Sequence, residues 1–441
     1  MIRGAATVPD APANVDWAYD SRADGTRPDA VNRNALPPWI NAAIDAIADA
    51  PESLVGRLAA RRLGRPAAWG SVPATTFADE PRRVLIAPVN YSGQGHAWAQ
   101  ALEASDPTIC ARNMAIDVPG GFSFDADLVV PVATYHNDPD WQRRQFEAAL
   151  SATHVLIEAE EPPFGRLFGR SVATQARALE EGGVDVAYLA HGTDVRLPSR
   201  HLERHEWSHY ADPSIYVPRA ETLASRNIDL VTRSGRPIFV STPDLLDDLP
   251  DARWCPVVVD LDRWRTERTA RARSAPLRVA HAPSVGSVKG TALILPILER
   301  LHDEGVIQME LVKGRSSGQM PEVFARADVM IDQVRIGSYG VAACEAMAAG
   351  CLVVAHVSTT VRELVADLTG HALPIVEATP ASIESVLRDL AAAPDLEDRR
   401  SAGISFVSEV HDGRASARAL LEGWIDIDPQ GNGSEHDASR R

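Results

Sequence analysis

Residues 328–357 read DVMIDQVRIGSYGVAACEAMAAGCLVVAHV, and this stretch decides the fold. It contains two short apolar runs, DVMIDQ and CLVVAHV, separated by a segment of small and apolar residues with helical spacing. A strand, a helix and a second strand in that order form the unit of buried parallel sheets, because parallel strands need a crossover connection. The helix carries one carboxylate, Glu345, among its small and apolar residues.

The same alternation occurs in two series along the chain. The first series lies between residues 83 and 191 and contains the apolar runs RVLIAPV, DLVVPV, THVLIEAE and VDVAYLAH. The second begins at residue 277 and contains LRVAHAP, MELVKG, DVMIDQ and CLVVAHV. Because helical periods separate these runs, we predict an α/β fold in which two Rossmann-like domains face a cleft.

The 441 residues are enough for two hydrophobic cores, and four regions are expected. Residues 1–80 form an N-terminal extension that is irregular at first and carries two short helices between Pro37 and Arg65. Residues 81–258 form the first domain, and residues 259–427 form the second domain with its closing helices. Residues 428–441 are rich in Gly, Ser and Asp and are expected to be disordered.

Composition restricts the partners. The chain has 44 Lys and Arg against 60 Asp and Glu, and its net charge of -16 has the wrong sign for a nucleic-acid substrate. Its 4 cysteines form no CxxC pair and lie in apolar surroundings, which indicates reduced core thiols. The N-terminal residues lack the apolar segment of a signal peptide, so a cytoplasmic protein is expected.

Any membrane contact is expected to be peripheral, because no uncharged apolar run approaches the ~18 residues of a spanning helix. Residues 51–65 combine Leu and Val with four arginines in an amphipathic pattern, which suits the anionic inner face of a membrane. The alternative is a helix that packs on the next domain with its arginines in solvent.

Open parallel sheets bind ligands at the carboxyl ends of their strands, so the loop after each domain's first strand is the place to search. In the first loop, Gly93 and Gly95 allow close backbone approach before a helix, although the third glycine of a dinucleotide site is missing. In the second loop, SVGSVKG at 284–290 places Lys289 beside free backbone N–H groups, which suits a diphosphate. The alternative is a surface lysine in a turn.

Two further residues are candidates. If Glu345 faces inward it needs hydrogen-bond donors, since desolvating an unpartnered carboxylate is costly, and ribose hydroxyls would supply them. The alternative is a glutamate that faces solvent. His191 ends a predicted strand and is followed by glycine, so it is placed to face the cleft, with Asp194 orienting its ring or capping the next turn. The alternative is that Asp194 is a purely structural cap and that the hydrogen bonds of His191 are made within the protein.

A metal-site motif also occurs. His205, Glu206 and His209 match HExxH, with His201 one turn earlier, and on a helix the three histidines would share one face. This leaves a zinc hydrolase as one alternative function. Zincins need the motif on a long helix of another fold, however, so no metal site is predicted.

Three segments together resemble the GT-B-fold retaining glycosyltransferases of group 1, which include capsule and lipopolysaccharide sugar transferases. The segments are HGTDVR at 191–196, HAPSVGSVKGT at 281–291 and ARADVMIDQVRIGSYGVAACEAMAAGCLVVA at 325–355. The resemblance covers residues 83–425. It implies a hexosyltransferase that moves a sugar from a nucleotide diphosphate donor to an acceptor hydroxyl with retention, without a metal or other cofactor. The acceptor would be a glycan, a lipid-linked molecule or a small molecule in cell-envelope or other glycan biosynthesis.

The resemblance also implies roles for residues. Glu345 would hold the donor ribose, Lys289 would neutralise the diphosphate and His191 would lie near the donor sugar. Other residues implied in donor binding are Gly93, Gly95, Ser284, Gly290, Asp332, Gln333, Tyr339 and Gly340. Two departures stand out, since Gly337 replaces the family's usual first glutamate and Ser284 its common arginine. Because of them, the alternative is an inactive GT-B pseudoenzyme that serves as an assembly partner.

Overall fold

The computed structural model describes residues 32–68, 70–119, 121, 123–265, 267–268, 275–393 and 396–427. Predictions for residues 1–31 and for the tail at 428–441 lie outside the described residues.

The first domain is built on a seven-stranded parallel sheet. Its strands are β1 (Arg82–Ala87), β2 (Ile109–Asp117), β3 (Leu128–Pro131), β4 (His154–Glu158), β5 (Asp185–Ala190), β6 (Ile238–Val240) and β7 (Arg253–Trp254). Their order in the sheet is β3-β2-β1-β4-β5-β6-β7, so the order reverses between β1 and β4. The loops after these two strands therefore border the crevice where such sheets bind ligands.

The second domain has a five-stranded parallel sheet. Its strands are β8 (Leu277–His281), β9 (Ile307–Leu311), β10 (Val329–Ile331), β11 (Leu352–Ala355) and β12 (Val376–Glu377). The order β12-β11-β10-β8-β9 reverses between β8 and β10. The two sheets confirm the predicted α/β fold with two Rossmann-like domains.

Helices cover both faces of the sheets. They are α1 (Pro38–Asp49), α2 (Leu54–Arg61), α3 (Gln94–Ser105), α4 (Val132–Asn137), α5 (Pro139–Ala149), α6 (Val172–Glu181), α7 (Pro198–Arg204), α8 (Val217–Ser234), α9 (Leu261–Trp264), α10 (Gly286–Lys289), α11 (Thr291–Asp303), α12 (Met320–Arg326), α13 (Val341–Ala348), α14 (Thr359–Thr369), α15 (Ile383–Ala392), α16 (Glu397–Val410) and α17 (Arg414–Leu420). In β1, Leu85 enters one hydrophobic cluster and Val84 and Ile86 enter another, because successive side chains point to opposite faces. Both faces of this strand are therefore core.

The sequence analysis did not predict β2, and polar residues explain why. Arg112 and Asn113 interrupt the apolar pattern that identified the eight predicted strands. Strands β6, β7 and β12 have only two or three residues each and were not predicted either. In the structure Asn113 is fully buried, its N–H donates to Asp127 Oδ2 at 2.8 Å, and its Oδ1 accepts from the Asp127 N–H at 3.0 Å. These reciprocal bonds pair the Asn113 backbone N–H and side-chain oxygen, while Asn113 Nδ2 has no hydrogen-bond partner among the described residues. A polar residue that a sequence pattern reads as a break in the strand is thus buried within it.

The helical extension packs on the first domain. The Ser53 side chain caps α2 by accepting from the Gly56 N–H at 3.1 Å. The helix buries its small residues Gly56 and Ala60, while Leu54, at 81 % exposed, and Leu58 remain in solvent. Its packing thus follows the second alternative of the sequence analysis, but its apolar side chains stay outward. Within the described residues, no helix combines the length and apolar character needed to cross a membrane.

The end of the chain returns to the first domain. The sequence analysis groups the closing helices with the second domain, whereas Leu420 and Trp424 pack in one cluster with Trp98 and Phe239. The Trp424 indole N–H donates to Asp185 Oδ1 at 2.9 Å. Residues 414–425 therefore tie the two domains together.

A second interdomain contact lies beside the cleft. The buried Arg335 guanidinium of the second domain donates to the Trp207 carbonyl at 3.1 Å, to the Ser208 carbonyl at 3.0 Å and to Asp212 Oδ2 at 2.8 Å. A guanidinium with several fixed acceptors is a strong positional constraint. This contact holds the loop after β10 against residues 207–212 of the first domain.

Candidate functional site

Two adjoining cavities occupy the cleft between the domains. The first has a volume of about 400 Å³ and the second about 350 Å³. Tyr91, Ser92 and Val341 line both, so the cavities meet at these residues. Tyr91 and Ser92 follow β1, which borders the order reversal of the first sheet, and Val341 begins α13 in the second domain. The shared wall therefore combines both domains.

The first cavity brings together Ser284, Lys289 and Glu345, three of the residues that the sequence analysis singled out. Lys289 Nζ forms an ion pair with Asp332 Oδ1, and this carboxylate is only 1 % exposed. The pair spans the loops after β8 and β10, where the order of the second sheet reverses. The other oxygen, Asp332 Oδ2, is buried and has no hydrogen-bond partner among the residues that the structure describes. Asp332 thus holds the lysine in place from behind the cavity wall.

Two further cations line the first cavity. Lys313 and Arg315 lie on the exposed loop after β9. The sequence analysis did not name them, although the rule that ligands bind beyond the carboxyl ends of strands applies equally to the VKGR segment. With Lys289 they make three cationic side chains in one cavity.

Glu345 lies on α13 and faces the first cavity. Burial raises the pKa of its carboxyl to about 8, and nearby Arg263 and Lys289 oppose this shift while Asp332 adds to it. The alternative of a glutamate directed fully into solvent does not fit this environment.

The N-terminus of α13 is open. Gly340 precedes the helix and offers no side-chain cap to its first N–H groups. Val341 and Ala342, the first two helical residues, line the first cavity, and Gly340 lines the second. Uncapped N–H groups and the positive end of the helix dipole suit an anion at this junction.

The glycine loop after β1 shapes the wall indirectly. Asn90, Tyr91 and Ser92 line the cavities, whereas Gly93 and Gly95 lie behind them. A Cβ at residue 95 would lie 3.0 Å from Glu158 Oε2, so the close packing of α3 on this carboxylate requires glycine.

His191 lines the second cavity and is held by Glu158, which the sequence analysis did not identify. His191 Nε2 lies 3.0 Å from Glu158 Oε1, and Glu158 Oε2 accepts from the Asn90 N–H at 3.2 Å. The Asp194 carboxylate instead accepts from the backbone N–H groups of His191 and Gly192, so Asp194 caps the turn. Glu158 is the last residue of β4, and its position at the carboxyl end of a parallel strand could have identified it as a candidate site residue.

The other predicted donor residues have structural contacts outside the cavities. The Gln333 side chain donates to the His356 carbonyl at 2.6 Å and to the Ser338 carbonyl, and it accepts from the Arg335 N–H at 2.8 Å. Tyr339 is buried, with its hydroxyl 3.3 Å from His411 Nε2. These side chains shape the loop before α13.

Gly290 has a conformational role. Its φ is +81°, and a Cβ there would lie 2.5 Å from Val334 Cγ2. Glycine therefore allows the turn between α10 and α11 to pack against the loop after β10.

The HExxH interpretation is wrong in its geometry. Helix α7 ends at Arg204, and His205 has an extended backbone with φ −123° and ψ 109°, so Glu206 and His209 do not continue a helical face. Among the described residues, no group of three or more His, Cys, Asp or Glu side chains is arranged to hold a metal ion.

His205 has a different neighbour. Gly337, with φ +75°, packs so closely on it that a Cβ would lie 2.3 Å from His205 Cε1. The imidazole therefore fills the space that a side chain at residue 337 would need. The glycine at residue 337, where the resembling family usually has glutamate, thus leaves the space that the His205 side chain occupies.

Comparisons with known proteins agree with this architecture. Residues 298–403 match the family described as Glycosyl transferases group 1. Among solved structures, HepE of Anabaena, in complex with UDP and glucose, is similar at 10% identity and TM-score 0.52, over 78% of this chain and 100% of that chain. An alpha-glucosyltransferase in complex with UDP-glucose and DNA is similar at 10% identity and TM-score 0.51, over 77% and 98%. No curated protein matches the sequence. The chain therefore has the GT-B fold, and its residues 298–403 match the Glycosyl transferases group 1 family.

Proposed function

We propose that this chain transfers a hexose from a nucleoside diphosphate donor in the first cavity to an acceptor hydroxyl in the second, with retention at the anomeric carbon. The observation that carries the proposal is the combination, in one cavity, of three cations, an uncapped helix N-terminus and the half-buried carboxyl of Glu345. This combination matches the two halves of a nucleoside diphosphate, which is anionic at its phosphates and rich in hydroxyl donors at its ribose.

The diphosphate would lie between Lys289 and the N-terminus of α13, with Lys313 and Arg315 closing over it from the loop after β9. Such groups bind phosphate through charge-assisted hydrogen bonds and the helix dipole. Asp332 fixes the lysine but also offsets its charge. Within the described part of the chain, Lys313 and Arg315 form no ion pair, so these two loop cations supply positive charge that the protein does not offset.

Glu345 would accept hydrogen bonds from the donor ribose. Burial raises the pKa of this carboxyl, and hydrogen bonds from two ribose hydroxyls would favour its ionised form. Binding would thereby lower the free-energy cost of a charge in this position.

Transfer would occur where the cavities meet, near Tyr91, Ser92 and Val341. The bond between the anomeric carbon and the diphosphate oxygen breaks, and the acceptor oxygen bonds to the same face of that carbon. The acceptor proton passes to the leaving diphosphate. Lys289 and α13 stabilise the charge that develops on the leaving group, and His191, oriented by Glu158, positions the sugar. The reaction as proposed uses no metal ion or other cofactor.

The two similar structures were solved with UDP and glucose and with UDP-glucose, which makes UDP-glucose the first donor to test. One of those neighbours was solved with DNA, whereas a net charge of -16 argues against a nucleic-acid acceptor here. We propose a glycan, lipid-linked or small-molecule acceptor of cell-envelope or other glycan biosynthesis. Peripheral contact through residues 51–65 is part of this proposal.

The test is thermal unfolding of the wild type and of Glu345→Ala with a panel of nucleotide sugars. A ligand at a hundred times its dissociation constant adds about 2.7 kcal/mol to the native state. A shift with one donor that is lost in Glu345→Ala, together with release of that nucleotide during turnover, supports the proposal. Donor binding without turnover on any acceptor would favour the inactive assembly partner, and no shift from a folded protein would contradict the donor site.

A further inference from the structure

The second cavity contains a buried carboxyl group with no hydrogen-bond partner. Glu160 is 5 % exposed, lines the cavity, and has neither carboxyl oxygen within a hydrogen bond of the described residues. Leaving such a group unpaired is costly, and native structures seldom do so without a reason. The group therefore points to a ligand that donates hydrogen bonds.

The backbone directs Glu160 into this position. Ala159 and Glu160, which follow β4, have φ values of +53° and +52°, a region that residues with a side chain rarely adopt. Two consecutive residues of this kind store strain at the carboxyl end of the strand beside the order reversal of the sheet. The turn costs free energy and places the carboxyl in the cavity.

The other carboxylates near the cavity have partners. Glu158 contacts His191 at 3.0 Å, Glu161 contacts Arg170 at 2.9 Å, and Asp194 caps the turn after β5. The cavity wall also contains Arg226, whose guanidinium lies 3.3 Å from Asp49. Glu158, Glu161, Asp194 and Arg226 are therefore already engaged in contacts within the protein.

The charge around Glu160 is negative. Burial raises the pKa of Glu160 well above its ordinary value, and the charge of Asp194, a close side-chain interaction with Asp194 and the charge of Glu161 add to this shift. A neutral hydroxyl would satisfy one hydrogen bond there and leave this repulsion in place. An ammonium group would donate up to three hydrogen bonds and also offset the charge, so a cation fits better than a neutral polyol.

We infer that the second cavity takes an acceptor with a protonated amine, an amino sugar or amino polyol whose ammonium group pairs with Glu160. The inference rests on the proposed function, because it names the acceptor class of the same cleft. The acceptor hydroxyl would then lie toward Tyr91 and Ser92, where the second cavity meets the first.

The test compares probes that differ only in the amine. Binding of glucosamine, glucose and N-acetylglucosamine to the full chain is measured by calorimetry, with and without UDP. Because hydrogen bonds to charged groups are stronger than neutral ones, glucosamine should bind about ten- to a hundredfold more tightly than glucose. N-acetylglucosamine, which lacks the charge, should resemble glucose.

Two matched variants locate the effect. Glu160→Gln keeps the shape and removes the charge, and it should abolish the preference for glucosamine while UDP binding stays unchanged. Glu147→Gln removes one charge from an exposed position on α5 and should retain the preference. Equal binding of glucosamine and glucose by the wild type would overturn the inference, and so would a preference that survives in Glu160→Gln.

The UDP titration separates this inference from the proposed function. A wild type that prefers glucosamine but binds no nucleotide would contradict the donor site and leave the amine site in place. A wild type that binds UDP but shows no preference for glucosamine would contradict the amine site and leave the donor site in place.

Discussion

The two cavities of the cleft differ in charge although they share a wall. Lys289, Lys313 and Arg315 line the first, whereas the second contains Glu160, Glu161 and Asp194. Opposite charges in adjoining spaces favour ligands of opposite sign, so electrostatics alone can direct an anionic donor and a cationic acceptor to their own sides. The cavities differ further in how their charged groups are paired: Lys289 already forms an ion pair with Asp332, whereas Glu160 has no hydrogen-bond partner among the described residues.

The largest expected effect concerns the Lys289–Asp332 pair. Lys289→Ala should lower transfer by about a hundredfold or more, because it removes a group that stabilises developing charge. It should also destabilise the fold by about 3 kcal/mol, because it leaves the buried Asp332 carboxylate unpaired. Urea unfolding and kcat/KM measure the two effects.

The double variant Lys289→Ala/Asp332→Asn separates them. It should recover most of the stability, since the unpaired charge is gone, but not the activity. If the double variant regained transfer, the lysine would serve only to neutralise Asp332, and the cationic character of the first cavity would have to come from its exposed loop.

Glu345→Gln should change how stability depends on pH. The unfolded carboxyl titrates near its ordinary 4.5 and the native one near about 8, so the native state binds the extra proton between these values. The free energy of unfolding of the wild type therefore falls, relative to Glu345→Gln, as pH rises through this window. From pH 6 to pH 8 the difference should grow by about 2 kcal/mol, measured by urea unfolding. A constant difference would show that Glu345 is well solvated.

Gly95→Ala should damage the wall that supports His191. The added methyl would meet Glu158 Oε2 at 3.0 Å, and the resulting overpacking should cost about 1.5 kcal/mol. Gly340→Ala is a matched control, since a Cβ there has no neighbour within 4 Å and its φ of −143° suits any residue. Thermal unfolding compares them. An equal loss in both variants would contradict the packing argument at residue 95.

The smallest effect is expected for the loop cations. Lys313→Ala and Arg315→Ala should each weaken UDP binding by about 0.5 kcal/mol, because exposed charges are screened by solvent and salt. Calorimetry at low and high salt should show the difference from wild type shrinking as salt rises. An effect that does not depend on salt would indicate contacts other than charge.

The sequence indicated much of this arrangement and missed the rest for identifiable reasons. The helical periods that separate the apolar runs are helices in the structure, for example Val172–Glu181 and Thr291–Asp303, because apolar residues that recur at a helical period bury one face of a helix. Strand β2 was missed because Arg112 and Asn113 interrupt its apolar pattern, and the hydrogen bonds between Asn113 and Asp127 form only when the chain folds. Glu158 was missed because its partners Asn90 and His191 come from other strand ends.

Local patterns by themselves determined the two-domain α/β fold, the loops that border the cleft, and Lys289 and Glu345 as candidates. Periodicity and glycine placement act over a few residues, so a sequence shows them directly. Only the tertiary structure decided that Gln333 and Tyr339 lie outside the cavities, that His205 packs on Gly337, and that Glu160 is buried without a partner. Burial and pairing depend on groups brought together by folding, and their free energy is set by neighbours that the local sequence does not contain.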